Sequence, residues 1–269
     1  MIAYFRSYWA ATRQPLYVLS IFLLGAVLVY ANYHWNVPLV KGRFFPTLLL
    51  YALPYWLAWG LQYLFGRPSF HRHRRWWGIL LAAPVLFALQ STLHFPSLTE
   101  AYLLRSCLLI APIALFWYAF DRSRRPLYGL QRPDTWRYYP YLLLLMVPLL
   151  VWASRQPDFL ALYPRAGGLS GFSAGLFEGS YGLDLFSMEF FFRGWLILGL
   201  ASVCGARSVL PAAVFYLTVH FGKPVEECVS SLFGALLLGV VALESRSIYV
   251  GVLLHLCLAW GLEVLASVR

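Results

Sequence analysis

Apolar residues are arranged along this chain in long runs separated by short polar stretches. Most runs approach the roughly 20 residues that an α-helix needs to cross the hydrocarbon core of a bilayer. They occupy residues 16–33, 45–65, 77–94, 101–120, 139–154, 176–202, 207–221, 229–244 and 247–266. The fifth and seventh are short, and a tilted, re-entrant or bundle-buried helix is the alternative for them. The pattern predicts an all-α, polytopic transmembrane helical bundle of about eight to nine spans.

The composition indicates that lipid is the solvent for this surface. Of the 269 residues, 61% are hydrophobic and 12% are charged, whereas a soluble domain carries about 25% charged residues. So few charges cannot build a water-facing surface, which excludes the soluble globular and fibrous classes. The 11 Trp and 18 Tyr side chains suit the headgroup regions of a membrane. We therefore expect the lipid bilayer to be a partner of the chain.

Basic residues are concentrated in the first two-thirds of the chain. Residues 1–174 contain 16 Lys or Arg and 4 Asp or Glu, while the remainder contains 5 and 7. They lie in short loops, with four Arg between 67 and 75 and five between 122 and 137. A nucleic-acid partner would require a basic soluble face, so the positive-inside rule explains the placement better. We expect an integral multi-pass protein of a bacterial cytoplasmic (inner) membrane, with a cytoplasmic N-terminus and a retained first span.

The sequence divides into three parts that differ in composition and in the motifs they contain. Residues 1–155 hold N-terminal transmembrane helices with basic cytoplasmic loops and carry no motif. Residues 156–175 form a connecting loop rich in Gly, Ser and Pro, and residues 176–269 contain the ionisable groups that can do chemistry. There is no His-Glu-x-x-His sequence and no ligand-spaced Cys set, so neither a metal nor another cofactor is expected.

Glu189 and Arg193 lie within one apolar run, where each ionisable residue costs about 2.5–3.5 kcal/mol on insertion scales. Four residues apart, with Glu towards the N-terminus, they have the order that favours an ion pair on one face of an α-helix. A purely structural pair that ties helices together is one interpretation. A functional pair is the other.

Two histidines occupy further apolar runs. His220 ends the run from Val209 to Val219, with Tyr216 one turn earlier, and His255 lies in the middle of the last run. A lone intramembrane His commonly forms a hydrogen bond between helices. Three runs that each offer Glu or His at similar depth favour a shared polar site, because lipid cannot satisfy such groups. Glu and His together can polarise a water molecule, and a second His can donate to an oxyanion.

These residues resemble the motifs of the CAAX-processing and bacteriocin-processing (CPBP, or Abi) family of glutamic-type intramembrane proteases. The family's Glu-Glu-x-x-x-Arg is matched by Met188-Glu189-x-x-x-Arg193. Its Phe-x-x-x-His is matched by Tyr216-x-x-x-His220, and its His-x-x-x-Asn/Asp by His255-x-x-x-Ala259. The resemblance implies that Glu189 activates water with His220, that Arg193 orients Glu189 and that His255 supports the oxyanion. It implies a membrane-anchored protein or peptide substrate.

Two positions depart from the family pattern. Met188 replaces the Glu that the family uses as the water-activating base, and Ala259 replaces the Asn that assists the oxyanion. The chain is therefore either an active variant in which Glu189 is the base or an inactive relative acting in immunity, partner binding or transport. We favour the active endopeptidase.

Three other acidic residues lie near the predicted site. Glu226 and Glu227 are interpreted as the first turn of the next helix, where the helix dipole favours negative charge, and a role at the mouth of the site is the alternative. Glu263, two turns beyond His255 and on its face, is expected near the membrane interface.

Overall fold

A computed structural model describes residues 2–35, 42–66, 72–122, 126–132, 139–161 and 163–267, and the regular structure in these ranges is entirely helical. The helices are α1 (Ile2–Thr12), α2 (Pro15–His34), α3 (Phe44–Gly66), α4 (Arg74–Thr92), α5 (Leu98–Phe120), α6 (Tyr139–Ala153), α7 (Pro157–Leu160), α8 (Gly171–Glu189), α9 (Ala201–Cys204), α10 (Val209–Val219), α11 (Val225–Ser245) and α12 (Tyr249–Ser267). A π-helix (Phe190–Leu198) follows α8, and a 3₁₀ turn (Gly205–Ser208) precedes α10.

Six segments of the described chain are long and apolar enough to cross a membrane. They are Pro15–His34, Phe44–Phe65, Leu98–Phe120, Gly171–Val219, Val225–Ser245 and Tyr249–Ser267. The predicted all-α polytopic bundle is confirmed, and the chain is an integral multi-pass membrane protein. Two further predicted spans correspond to α4 and to the 15-residue α6. The choice of membrane and the orientation of the N-terminus stay predictions, and parts of both basic loops (67–71, 123–125 and 133–138) lie outside the described residues.

The chain packs as two compact units that alternate along the sequence. Unit 1 contains Met1–Leu93 and Phe191–Arg246, and unit 2 contains His94–Phe190 and Ser247–Arg269. The boundary at Phe190 falls where α8 gives way to the π-helix. The sequence analysis divided the chain differently, into residues 1–155, 156–175 and 176–269, according to where motifs occur. That division stays a prediction.

Unit 1 is built around aromatic side chains. Helix α10 packs against α3 and α11, and α3 also packs against α4. The rings of Phe191 and Phe192, from the π-helix, lie 5.8 and 5.4 Å from the ring of Phe215 in α10, and both meet Phe87 in α4. All four rings are buried. This edge-to-face packing fixes the side of the π-helix that carries Arg193.

Unit 2 places α8 against α5 and α12. The α8–α12 approach is close at Gly182, where an added Cβ would lie 3.3 Å from Leu256 and from Trp260. Just before α12, Ile248 N–H donates to Gly129 O at 3.1 Å. Such contacts set the position of α12 relative to α8, which matters because each helix supplies one residue of the candidate site.

The far end of α12 is tied to the connecting loop by Glu263. This side chain is 6% exposed and accepts from the backbone N–H groups of Arg165, at 3.0 Å, and Ala166, at 3.3 Å. The Arg165 guanidinium donates to Tyr102 Oη at 3.0 Å and lies over the ring of Tyr181. The sequence predicted only that Glu263 lies near the membrane interface. In the structure its side chain is buried against the loop residues Arg165 and Ala166 of the same unit.

Candidate active site

The helix that carries the first motif changes its hydrogen bonding immediately after Glu189. Helix α8 ends at Glu189, and the next nine residues form the π-helix, as shown by Gly199 N–H donating to Gly194 O at 2.8 Å. The 3.6-residue periodicity behind the predicted Glu189–Arg193 ion pair therefore does not hold between them. The pair stays a prediction. Single π turns within helices occur frequently at functional sites.

Glu189 and His255 form an acid–imidazole pair within unit 2. His255 Nδ1 lies 2.8 Å from Glu189 Oε1, the separation of an ion pair when the imidazole is protonated. The Glu189 side chain is 0% exposed, whereas that of His255 is 21% exposed. The carboxylate is thus enclosed by protein, and the imidazole is the member of the pair that reaches the surface of the unit.

Gly251 makes room for this carboxylate. One turn before His255 on α12, its Cα faces Glu189, and an added Cβ would lie 2.9 Å from the Glu189 Cδ and still closer to Oε2. Real Cβ atoms essentially never approach a neighbour under 3.0 Å. Any side chain at position 251 would therefore displace the Glu189 carboxylate, so the glycine is explained by close approach.

The two positions that depart from the family motifs have different surroundings. Met188 is half-buried beside Glu189. Ala259, one turn after His255, is 6% exposed and packs with the aromatic side chains of Tyr102, Phe177 and Tyr181. The position of the family's Asn is therefore part of an apolar cluster in this chain.

Arg193, Tyr216 and His220 form a stacked group within unit 1. The Arg193 side chain is 1% exposed, and its guanidinium carbon lies 4.6 Å from the centroid of the Tyr216 ring. The Tyr216 ring is in turn 4.7 Å from the His220 ring. A cation over an aromatic face is worth about 2 kcal/mol or more when it is desolvated. The Tyr-x-x-x-His motif therefore also positions Arg193.

His220 lies in the turn between α10 and α11, where it contacts a carboxylate from the second helix. Its Nδ1 is 3.1 Å from Tyr216 O, and its Nε2 is 3.8 Å from Glu227 Oε1. Glu227 also forms a salt bridge with Lys223, one turn earlier. Glu227 lies in the first turn of α11, as the sequence predicted. Its contact with His220 is additional to the favourable interaction with the helix dipole that was expected there.

The structure thus groups the four predicted site residues as two pairs. Glu189 and His255 meet directly in unit 2, and Arg193 and His220 flank Tyr216 in unit 1. The combination of the two pairs into one site stays a prediction. Among the described residues, no three His, Cys, Asp or Glu side chains gather as a metal site would require, and the expectation of a metal-free, cofactor-free reaction is likewise a prediction.

The molecule is therefore a multi-pass helical membrane protein with a buried Glu–His pair. Residues 183–261, which contain all four predicted site residues, match the family described as type II CAAX prenyl endopeptidase Rce1-like. The resemblance to CPBP-type CAAX proteases is confirmed for this segment. No curated protein and no solved structure gives a significant match to the chain.

Proposed function

We propose that the chain is an intramembrane endopeptidase that hydrolyses a peptide bond of a membrane-anchored protein or peptide. The observation that carries the proposal is the contact between Glu189 and His255 in a segment with a CAAX-endopeptidase family match. An enclosed carboxylate at membrane depth is costly unless it has a partner and a task. Activating water is the task that the pair's chemistry suits best.

The pair moves one proton in each half of the reaction. Water loses a proton to the Glu189–His255 pair while its oxygen attacks the carbonyl carbon of the substrate, which gives a tetrahedral oxyanion. The C–N bond then breaks, and the same proton goes to the leaving amine. The products are a carboxylic acid and an amine, which become a carboxylate and an ammonium group when the acid proton moves to the amine, and no oxidant enters the balance.

Burial suggests how the two members of the pair divide this work. Water meets the pair at His255, because Glu189 has no exposed surface. The Glu189 carboxylate, 2.8 Å from Nδ1, stabilises the imidazolium that forms when the His255 ring takes the proton. His255 therefore acts beside Glu189 in water activation, in addition to the oxyanion role expected from the motif.

Arg193 and His220 are proposed to serve the same reaction. A buried guanidinium supplies fixed positive charge, and the Tyr216 ring holds it in place. A neutral imidazole in a turn outside the apolar helix, such as that of His220, can accept or donate a proton. These roles rest on the motif positions and on the stacked group in unit 1.

A non-catalytic, partner-binding membrane protein is the second candidate. It is favoured by the environment of Ala259, where an aromatic cluster stands in place of the amide that the family motif provides. On this alternative the Glu189–His255 pair only ties α8 to α12. The two candidates differ in what a change of Glu189 does to other proteins in the membrane.

Comparison of peptide termini in membranes tests the proposal. Cells lacking the gene receive the wild-type chain, Glu189→Gln, His255→Asn or the control Glu100→Gln, which alters an exposed carboxylate of unit 2. The new termini seen with wild type and Glu100→Gln should vanish with Glu189→Gln and His255→Asn at equal protein level. Identical termini in all four strains would contradict the proposal and favour the partner-binding alternative.

A further inference from the structure

The end of helix α10 fixes which nitrogen of His220 carries hydrogen. The backbone N–H of His220 donates to Leu217 O at 3.0 Å, and His220 Nδ1 lies 3.1 Å from Tyr216 O. A carbonyl oxygen can only accept, so Nδ1 must be the donor in this contact. In the neutral ring, Nε2 is then unprotonated, and it is the nitrogen that can take up a proton.

The unprotonated nitrogen faces a carboxylate. His220 Nε2 lies 3.8 Å from Glu227 Oε1, which is longer than a hydrogen bond but within the range of strong charge interaction. The same oxygen is bound by Lys223 Nζ in an i,i+4 salt bridge that fixes the position of the carboxylate. Glu227 thus faces the place where positive charge appears when His220 is protonated.

We propose that Glu227 is a positioning residue that stabilises the protonated form of His220 during proton transfer. The inference rests on the proposed function for its catalytic meaning, and the contact itself is independent of that function. Lys223 reduces the effect by neutralising part of the carboxylate charge. The remaining negative charge of Glu227 favours proton uptake at Nε2, because Nδ1 already donates its hydrogen to Tyr216 O.

Other ionisable groups of unit 1 also lie near His220 or near Glu227. Arg193 lies beyond the Tyr216 ring, and Tyr33 Oη donates to the Lys223 carbonyl oxygen at 2.7 Å. Glu226, which immediately precedes Glu227 in the first turn of α11, is exposed. Glu226 therefore provides a matched control, with the same chemistry and the same helix end but without the described contact to His220.

Nitrogen NMR of the full chain in detergent micelles tests the proposal without a substrate. The chain has 6 His, so ¹⁵N-histidine labelling gives few signals, and His220→Asn identifies the relevant one. We expect the Nδ1–H tautomer in the neutral ring. The pH at which the His220 ring is half-protonated should fall by about one unit in Glu227→Gln, while Glu226→Gln should leave it close to wild type.

A third variant separates charge from folding. Glu227→Asp keeps the carboxylate and should retain most of the wild-type titration, whereas equal shifts in Glu226→Gln and Glu227→Gln would show a general helix-end field and overturn the proposal. An Nε2–H tautomer would overturn it as well. If the wild type cleaves no membrane protein, the proposed function fails while the titration result stands.

Cleavage kinetics test the catalytic part of the proposal. In a chain that cleaves, Glu227→Gln should move the acid limb of the pH–kcat profile down by about one unit and leave KM close to wild type. A purely structural role for Glu227 would lower the amount of active protein without moving that limb, and this result would contradict the proposal.

Discussion

Gly251 and Glu189 are in contact across the packing of α12 on α8, and the glycine leaves the space that the carboxylate occupies. A Cβ on residue 251 would lie 2.9 Å from the carboxyl carbon. Gly251 also lies one turn before His255, so the same helical face that makes room for Glu189 supplies its imidazole partner. The geometry of the pair therefore depends on a residue with no functional group.

Gly251→Ala should abolish cleavage because the new methyl group forces the Glu189 carboxylate away from His255. We expect a loss of about 10²-fold or more in kcat, in line with the displacement of a catalytic group by roughly 1 Å. Gly179→Ala is the control, since residue 179 lies in α8 with nothing within 4 Å of an added Cβ. That variant should keep full activity and gain about 0.5–1 kcal/mol in stability. Equal activity of the two variants in a peptide-terminus assay would contradict the assigned contact.

Glu189→Gln and His255→Asn should have strongly non-additive effects. Each alone is expected to lower kcat by about 10²–10⁴-fold, because each removes one member of a proton-transferring pair. The double variant should be no slower than the worse single variant, since neither residue works without the other. Single-turnover rates of all four proteins measure this. If the loss of kcat in the double variant equals the product of the losses in the two single variants, the residues act separately.

Restoration of the family's amide should not improve this chain. Ala259→Asn introduces a polar group among Tyr102, Phe177 and Tyr181, and burying an amide with too few partners costs about 1–3 kcal/mol. We expect a lower unfolding temperature in detergent and no gain in cleavage. Ala259→Val, an apolar enlargement at the same position, separates the cost of polarity from that of volume. Faster cleavage by Ala259→Asn at an unchanged unfolding temperature would show that the amide reaches the reacting atoms.

Glu263→Gln should loosen the connecting loop without touching the Glu189–His255 pair. The substitution leaves one acceptor oxygen for the two backbone N–H groups of Arg165 and Ala166, and the new amide nitrogen opposes the other donor. We expect a loss of about 1–3 kcal/mol and faster proteolysis within residues 156–170. Glu100→Gln should show neither effect. Unchanged proteolysis would indicate that Tyr102 and its contact with Arg165 hold the loop by themselves.

The sequence predicts the helical membrane architecture well because hydrophobicity acts locally. A run of apolar residues needs no knowledge of its neighbours to be recognised as a span, and the run 16–33 corresponds to α2 within one residue at each end. The motif residues are equally easy to recognise, because an ionisable group within an apolar run stands out in the sequence. His220 was expected at the end of its run, and α10 ends at Val219.

Contacts between distant residues account for what the sequence could not predict. Gly251 and Glu189 are 62 positions apart, and no local pattern in the sequence shows that a glycine and a carboxylate so distant in the chain are in contact. The contact of Glu227 with His220 depends on the path of the turn between α10 and α11. The signal that could have indicated Gly251 is its spacing of four from His255, which places a residue without a side chain on the functional face of α12.

The π-helix Phe190–Leu198 has a consequence for comparing this chain with others. Because it accommodates an extra residue in the ladder of hydrogen bonds, deleting one residue there would allow α-helical bonding to continue. Since the π-helix absorbs the extra residue, the helix beyond the deletion would keep its side chains on the same face. A homologue that lacks one of the residues between Glu189 and Arg193 would then read Glu-x-x-Arg. Roles should therefore be transferred between such chains by hydrogen-bond register, because letter spacing alone would miss the correspondence.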